Sequence, residues 1–134
     1  MLYFAYASNL SKEYMLSRCP NATPVKKVAL KGYKLVFNEL ADIVIEENKN
    51  VKGALYVISK QELDELDRLE GYPLLYDRVI VEVEDSVGSK YDAVTYIMEE
   101  KAIQAPPEHY YQLLVKGYED WDLAMEFLEE AKGE

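Results

Sequence analysis

The sequence predicts an α+β domain whose sheet is mixed and largely antiparallel, and three observations carry that prediction. Residues 76–83 alternate, with Val79, Val81 and Val83 on one side and Arg78, Ile80 and Glu82 on the other; a polar turn, Asp85–Lys90, joins them to a second strand-like segment, Tyr91–Met98. Leu63, Leu66 and Leu69 recur instead at helical spacing. No repeat or low-complexity linker divides the 134 residues, so one domain over 1–134 with one core is expected.

Taken in order, residues 2–7 (Leu-Tyr-Phe-Ala-Tyr-Ala) form a short apolar first strand, and Ser8–Arg18 a turn entering a helix. Ser8, Asn9 and Ser11 are all good caps, so free backbone N–H groups should cluster just after the strand. Such a junction binds an anion or oxyanion without any cationic side chain. Val28–Asn38, with apolar Leu30, Leu35 and Phe37, then Ile43–Ile45 and Val51–Ile58, are further strands separated by turns. Ser59 and Glu62 have the spacing of a capping box opening the leucine-striped helix, which Gly71 ends. Pro107 suits the first turn of a helix in which Tyr110, Leu113, Leu114 and Gly117 share a face. Trp121, Ala124, Met125 and Leu128 form the stripe of a last helix, within 119–134, opened by Asp120. Periodicity alone leaves an open sheet and a closed one equally allowed.

Glu70 departs from this pattern. It stands seven residues after Leu63 and four after Leu66, close to the apolar line, and in the last turn before Gly71, where the helix dipole disfavours an anion. Both effects should raise its pKa, which is what a general acid/base needs. The other acids of this helix have ordinary roles: Glu62 in the cap, Asp64 and Glu65 on the solvated side, Asp67 at its margin, with Arg68 within i,i+4 reach of Asp64. A partly exposed side chain at position 70 is the alternative that periodicity leaves open.

Composition narrows the class without naming it. A formal charge of −10 and no basic stripe argue against nucleic-acid binding. No apolar run approaches the ~20 residues that span a bilayer, and no basic stretch followed by an apolar one opens the chain, so a cytoplasmic protein with no membrane partner is expected. The Asn21-Ala-Thr23 acceptor pattern then carries no meaning. One cysteine, Cys19, and one histidine, His109, form no internal disulfide, no nucleophile motif and no zinc cage, so neither a metal nor a cofactor is expected. Twelve tyrosines against three phenylalanines and one tryptophan is an unusual balance, since a buried phenol needs a partner for its hydroxyl and a pocket can supply one.

Tyr-Phe-Ala-Tyr-Ala-Ser-Asn-Leu at residues 3–10 and Leu-Asp-Arg-Leu-Glu-Gly-Tyr-Pro at 66–73 resemble the γ-glutamylcyclotransferase-like superfamily, which opens with Tyr-Gly-Ser-Asn-Leu and carries Glu-Gly after a Leu-Asp helix. Tyr76-Asp-Arg, Thr95-Tyr96-Ile-Met and Ala105-Pro-Pro-Glu-His-Tyr-Tyr, leading to Gly117, follow in the family's order, so the resemblance covers the chain to about residue 118. It implies a small, partly closed β-barrel flanked by helices. It also implies cyclisation of a γ-glutamyl amide, whether of an amino acid or an amine, to 5-oxoproline with release of the free amine.

By the same resemblance Glu70 is the general base and then acid. The backbone around Tyr6, Ala7, Ser8, Asn9 and Leu10 holds a carboxylate or oxyanion, and Tyr6, Tyr76, Tyr96 and Tyr110 line the cavity. Tyr111 competes with Tyr110, which is favoured because it shares the stripe of Leu113 and Gly117. Arg78 reads as a solvated strand charge. Ala7 stands where the family usually has glycine: if that position takes a positive φ the methyl group costs ~1–2 kcal/mol, and if it faces ligand the methyl narrows the pocket. The expected partner is a small γ-glutamyl molecule, on a monomer or homodimer. A non-catalytic binding protein with the same pocket is the competing reading.

Overall fold

A computed structural model describes residues 1–98 and 105–133. Five strands, β1 (Leu2–Ala5), β2 (Thr23–Asn38), β3 (Leu40–Val57), β4 (Tyr76–Glu84) and β5 (Lys90–Met98), close into a barrel in the order β1-β3-β2-β4-β5. The helices are α1 (Lys12–Arg18), α2 (Lys60–Glu70), α3 (Glu108–Asp120) and α4 (Met125–Lys132). All ladders are antiparallel except the contact between β1 and β5, a single parallel pair, Tyr3 with Val94. The sheet is therefore mixed and largely antiparallel, and it is closed.

Segments that read as three strands are two. Residues 28–38, 43–45 and 51–58 belong to one long hairpin, turning at Glu39 with φ 71. The polar run from Glu46 to Asn50 looks like a turn because it faces solvent, yet the ladder resumes beyond it: Lys31 pairs with Asn50 and Tyr33 with Ile45. Gly32, at φ 83, and Asn48, at φ 70, supply the left-handed backbone such a bulge requires. The β4–β5 hairpin matches its alternation, with Val81 and Val83 buried, Val79 half-buried, and Ile80 on the other side 69 % exposed.

The core runs through the barrel to the helices, with Phe4, Leu10, Ile43, Leu55, Tyr56, Leu66, Leu114, Tyr118 and Leu128 fully buried. Each such side chain contributes about 1.5–3 kcal/mol by leaving water. Gly117 lets α3 press on the turn after β1, since a Cβ there would lie 2.4 Å from Leu10 Cβ and 2.8 Å from the Ser11 nitrogen. The cap of α2 is a full capping box, Ser59 with Glu62. Its stripe is narrower than the leucine spacing predicts, for Leu63 and Leu66 are buried but Leu69 is 38 % exposed. Arg68 pairs with Glu65, and Asp64 with Lys60.

The C-terminal region differs from expectation. Asp120 does not open a last helix; it ends α3, and its carboxylate accepts the Lys12 N–H at 2.9 Å, serving α1 instead. The chain breaks after it because the Trp121 indole N–H is committed to the Leu10 carbonyl at 2.8 Å and Asp122 turns left-handed at φ 52. The last helix is thus 125–132 rather than 119–134, and Pro107 sits just before α3 rather than inside it. Among the described residues no helix is long and apolar enough to cross a membrane.

Candidate active site

Glu70 is placed by the end of α2. Gly71 adopts φ 71 and stops the helix, with Tyr72 N–H returning to the Asp67 carbonyl at 2.9 Å, so the last side chain of the helix is directed at the end of the barrel. There the Glu70 side chain is only 19 % exposed. Burial pushes its carboxyl above the usual range, partly offset by the Arg18 guanidinium 3.9 Å away.

Opposite it lies the turn after β1. Residues Ser8–Leu10 form one turn of 3-10 helix whose own bonds begin with Leu10 N–H to the Ala7 carbonyl, 3.0 Å, and Ser11 N–H to that of Ser8, 3.2 Å. The Ser8 and Asn9 amides precede those bonds and are not consumed by them. Ser11, not Ser8 or Asn9, caps α1, accepting from Tyr14 N–H. Asn9 instead bridges side chains: its Nδ2 donates to the Tyr3 hydroxyl at 2.9 Å, and its Oδ1 accepts from Arg18 at 2.8 Å.

The tyrosines complete the walls, each held by a hydroxyl bond. Tyr6 donates to the Tyr96 carbonyl at 2.6 Å, and Tyr96 to Asp67 Oδ1 at 2.6 Å. Tyr76 donates to the Ala41 carbonyl at 2.7 Å while Ala41 N–H donates to Tyr110 at 3.0 Å, so two phenols bracket one residue. Burial above all pushes the hydroxyls of Tyr3, Tyr6, Tyr76, Tyr96 and Tyr110 well past their ordinary 10. At neutral pH they are uncharged hydrogen-bonding groups.

Tyr6, Ala7, Ser8, Asn9, Glu70, Tyr76, Tyr96 and Tyr110 line one hollow, together with Tyr3, Ala41 and Thr95. Leu10 does not: its side chain is fully buried in the core and its N–H is spent in the turn. Tyr111 packs on Phe37 instead, ring centroids 6.0 Å apart. Ala7 has φ −130, so its methyl group carries no left-handed penalty, and because it faces the hollow it narrows it. The cavity volume is about 30 Å³. A larger hollow of about 140 Å³ beside Lys49 and Phe127 holds none of these groups.

Residues 3–123 match the family described as Gamma-glutamyl cyclotransferase, AIG2-like. The chain belongs to that family. It is 27 % identical over 144 residues to the Homo sapiens protein named Gamma-glutamylcyclotransferase, covering 98 % of this chain and 77 % of the human one. Its fold superposes on a structure titled Gamma-glutamyl cyclotransferase with a TM-score of 0.90 at 26 % identity, covering 98 % of this chain and 86 % of the other. It superposes on Bacillus subtilis YkqA with a TM-score of 0.82 at 32 % identity, over 99 % of this chain and 53 % of that one.

Family motifs single out Glu70 and the Tyr6–Asn9 turn, but three polar partners in this γ-glutamylcyclotransferase-family chain escape them. Arg78 is not a solvated charge: its guanidinium contacts Asp67 and lies over the Tyr72 ring, 4.7 Å from its centroid. Asp67, at the margin of its helix by angular count, is the acceptor tying α2 to both β4 and β5. Arg18 was hidden by its position in the last turn of α1, where a cation is unremarkable. His109 is exposed, and Cys19 is buried behind α1, where desolvation pushes its thiol to about 11.

Proposed function

We propose that this chain cyclises a γ-glutamyl amide to 5-oxoproline, with Glu70 as general base and then general acid. The observation that carries the reading is the poorly solvated Glu70 carboxyl sharing one tyrosine-walled hollow with Ser8 and Asn9 of the turn. An α-amine has a pKa of about 7.7–8.0, so most of it is protonated at neutral pH and cannot attack. Glu70 takes a proton from it. The freed nitrogen attacks the γ-carbonyl carbon, forming the new C–N bond of a five-membered ring. Expulsion of the original amide nitrogen breaks the old one as Glu70 returns its proton to the departing amine; the second proton, shed by the ring nitrogen once it has four bonds, follows through the same carboxylate, so the amine leaves as its ammonium ion. No protein nucleophile and no water enter the balance.

The Ser8 and Asn9 amides suit the oxyanion or the glutamyl carboxylate, and the neutral phenols suit the remaining polar atoms of the substrate. Folding the substrate so that amine meets carbonyl is worth about 7–11 kcal/mol over the bimolecular reaction. The substrate class is γ-glutamyl amino acids or γ-glutamyl amines, drawn from the family resemblance and supported by the relatives' names.

The test is incubation with γ-glutamyl dipeptides, γ-glutamyl amines and glutathione, with 5-oxoproline measured as product. At least one member should be turned over, and Glu70→Gln should abolish turnover without unfolding the chain. Ala7, where the family usually has glycine, favours a second reading, a non-catalytic small-molecule-binding protein with the same fold and pocket. Binding without product across the whole panel would select it.

A further inference from the structure

Arg18 is a charged group that the mechanism above leaves unused. It closes α1, where a basic side chain ordinarily does no more than complement the negative end of the helix. Its guanidinium is nevertheless turned inward. The side chain is 14 % exposed, Nη1 donates to Asn9 Oδ1 at 2.8 Å, and the same nitrogen lies 3.9 Å from Glu70 Oε1. Asn9 extends the link to the Tyr3 hydroxyl. The Tyr14 ring covers the guanidinium at 5.0 Å, a contact that suits a flat, delocalised cation better than a lysine ammonium.

We propose that Arg18 is a positioning residue: bonded to Asn9 and paired with Glu70, it fixes where the acid/base carboxyl sits over the turn and supplies the positive charge that carboxyl faces. The inference rests on the functional reading above and deepens it. The groups facing Glu70 come from every element packed around it. Tyr3 from β1, Tyr6 just after it, Tyr76 from β4, Tyr96 from β5 and Tyr110 from α3 are phenols held neutral by burial. Asp67, a turn earlier on α2, is engaged by Arg78 and Tyr96. Among the described residues Arg18 is the one charge acting to favour the ionised form of Glu70 against its burial. One nitrogen, Nη1, stands between Asn9 and Glu70, and the Tyr14 ring over the guanidinium fixes its plane, a stacking that an ammonium does not reproduce.

Arg18→Met removes the charge and the flat guanidinium, whereas Arg18→Lys keeps the charge and loses the plane that Tyr14 covers. The measurements are pH profiles of kcat and KM with whichever γ-glutamyl compound is turned over, and direct titration of the Glu70 carboxyl carbon by NMR. In Arg18→Met the acid limb and the NMR midpoint should both move to higher pH by about one pH unit. Plateau kcat should fall about tenfold with KM changed less than about twofold. Arg18→Lys should keep the wild-type midpoint but recover only part of kcat. A wild-type limb and midpoint in Arg18→Met would overturn the proposal, and so would full kcat in Arg18→Lys, which decides the matter if the methionine variant does not fold. The NMR titration needs no turnover: a moved midpoint in a chain inactive on every compound upholds the role of Arg18 and removes cyclisation, while an unmoved midpoint in an active enzyme does the reverse.

Discussion

The Tyr96 hydroxyl donates to Asp67 Oδ1 at 2.6 Å, three residues before Glu70 on the same helix. Strand β5 thereby holds the last turn of α2 against the barrel, with Arg78 of β4 gripping the other Asp67 oxygen. Tyr96→Phe leaves that carboxylate short of a donor in a poorly solvated place. It should cost about 1–3 kcal/mol of stability in urea denaturation and lower kcat, because the carboxyl of Glu70 loses its register.

Glu70 should leave a signature in stability as well as activity. Its carboxyl is raised in the folded chain above the ordinary 4.5, chiefly by burial. The folded state therefore holds this proton more tightly than the unfolded one. That contribution is fully present below the unfolded pKa and is lost as pH rises through the folded value. Glu70→Gln, which never ionises, should match the wild type in stability at the acid end and become relatively more stable as pH rises toward neutrality, while product formation falls by about 10²–10⁴. Denaturant midpoints across pH, measured beside kcat/KM, check both; a variant that loses stability on approach to neutral pH would contradict the burial of this group.

Ala7→Gly tests which constraint the methyl group obeys. Because Ala7 is not left-handed, glycine removes no positive-φ penalty, and the freer unfolded chain should cost about 0.4–1 kcal/mol. Because the methyl faces the hollow, the same change should raise kcat/KM for bulkier γ-glutamyl substrates more than for the smallest one. A competition assay across the panel measures the ratio.

Gly117→Ala addresses the contact that seats α3 on the turn. The added carbon would meet Leu10 Cβ and the Ser11 backbone nitrogen, the latter unable to swing aside. Overpacking of this kind costs about 1–3 kcal/mol, read as a lower midpoint in thermal or urea melts. It should also raise KM, since the displaced Leu10 and Ser11 atoms directly follow Ser8 and Asn9 in the same turn.

These residues also mark what the sequence makes legible. Glu70 stands out because a carboxylate on an apolar stripe violates a local rule, and the turn stands out because Ser8, Asn9 and Ser11 advertise unpaired amides. The β4–β5 hairpin is written in the alternation of its valines. Barrel closure is not, because it depends on pairs remote in the chain, Ala29 with Glu84 and Tyr3 with Val94, that leave no periodic trace. The long β2–β3 hairpin is masked by its own solvent-facing bulge. Arg18 and Asp67 obey local expectations for helix residues and acquire their roles only from what α1 and α2 pack against. The break before α4 is likewise tertiary, set by the Trp121 indole reaching Leu10.

With one backbone pair between β1 and β5, the barrel is stitched along that seam largely by oxygen atoms of side chains, the Thr95 hydroxyl on the Phe4 carbonyl at 2.8 Å and the Tyr6 hydroxyl on the Tyr96 carbonyl. A zipper with so few ladder teeth should breathe more readily than the long β2–β3 ladder, and amide hydrogen exchange should be faster along β1 than along that hairpin. Thr95→Val, which swaps a hydroxyl for a methyl of equal bulk, should loosen that suture while sparing the hydrophobic interior. The tyrosine chamber, which Tyr6 and Thr95 line, would then widen by a parting of strands.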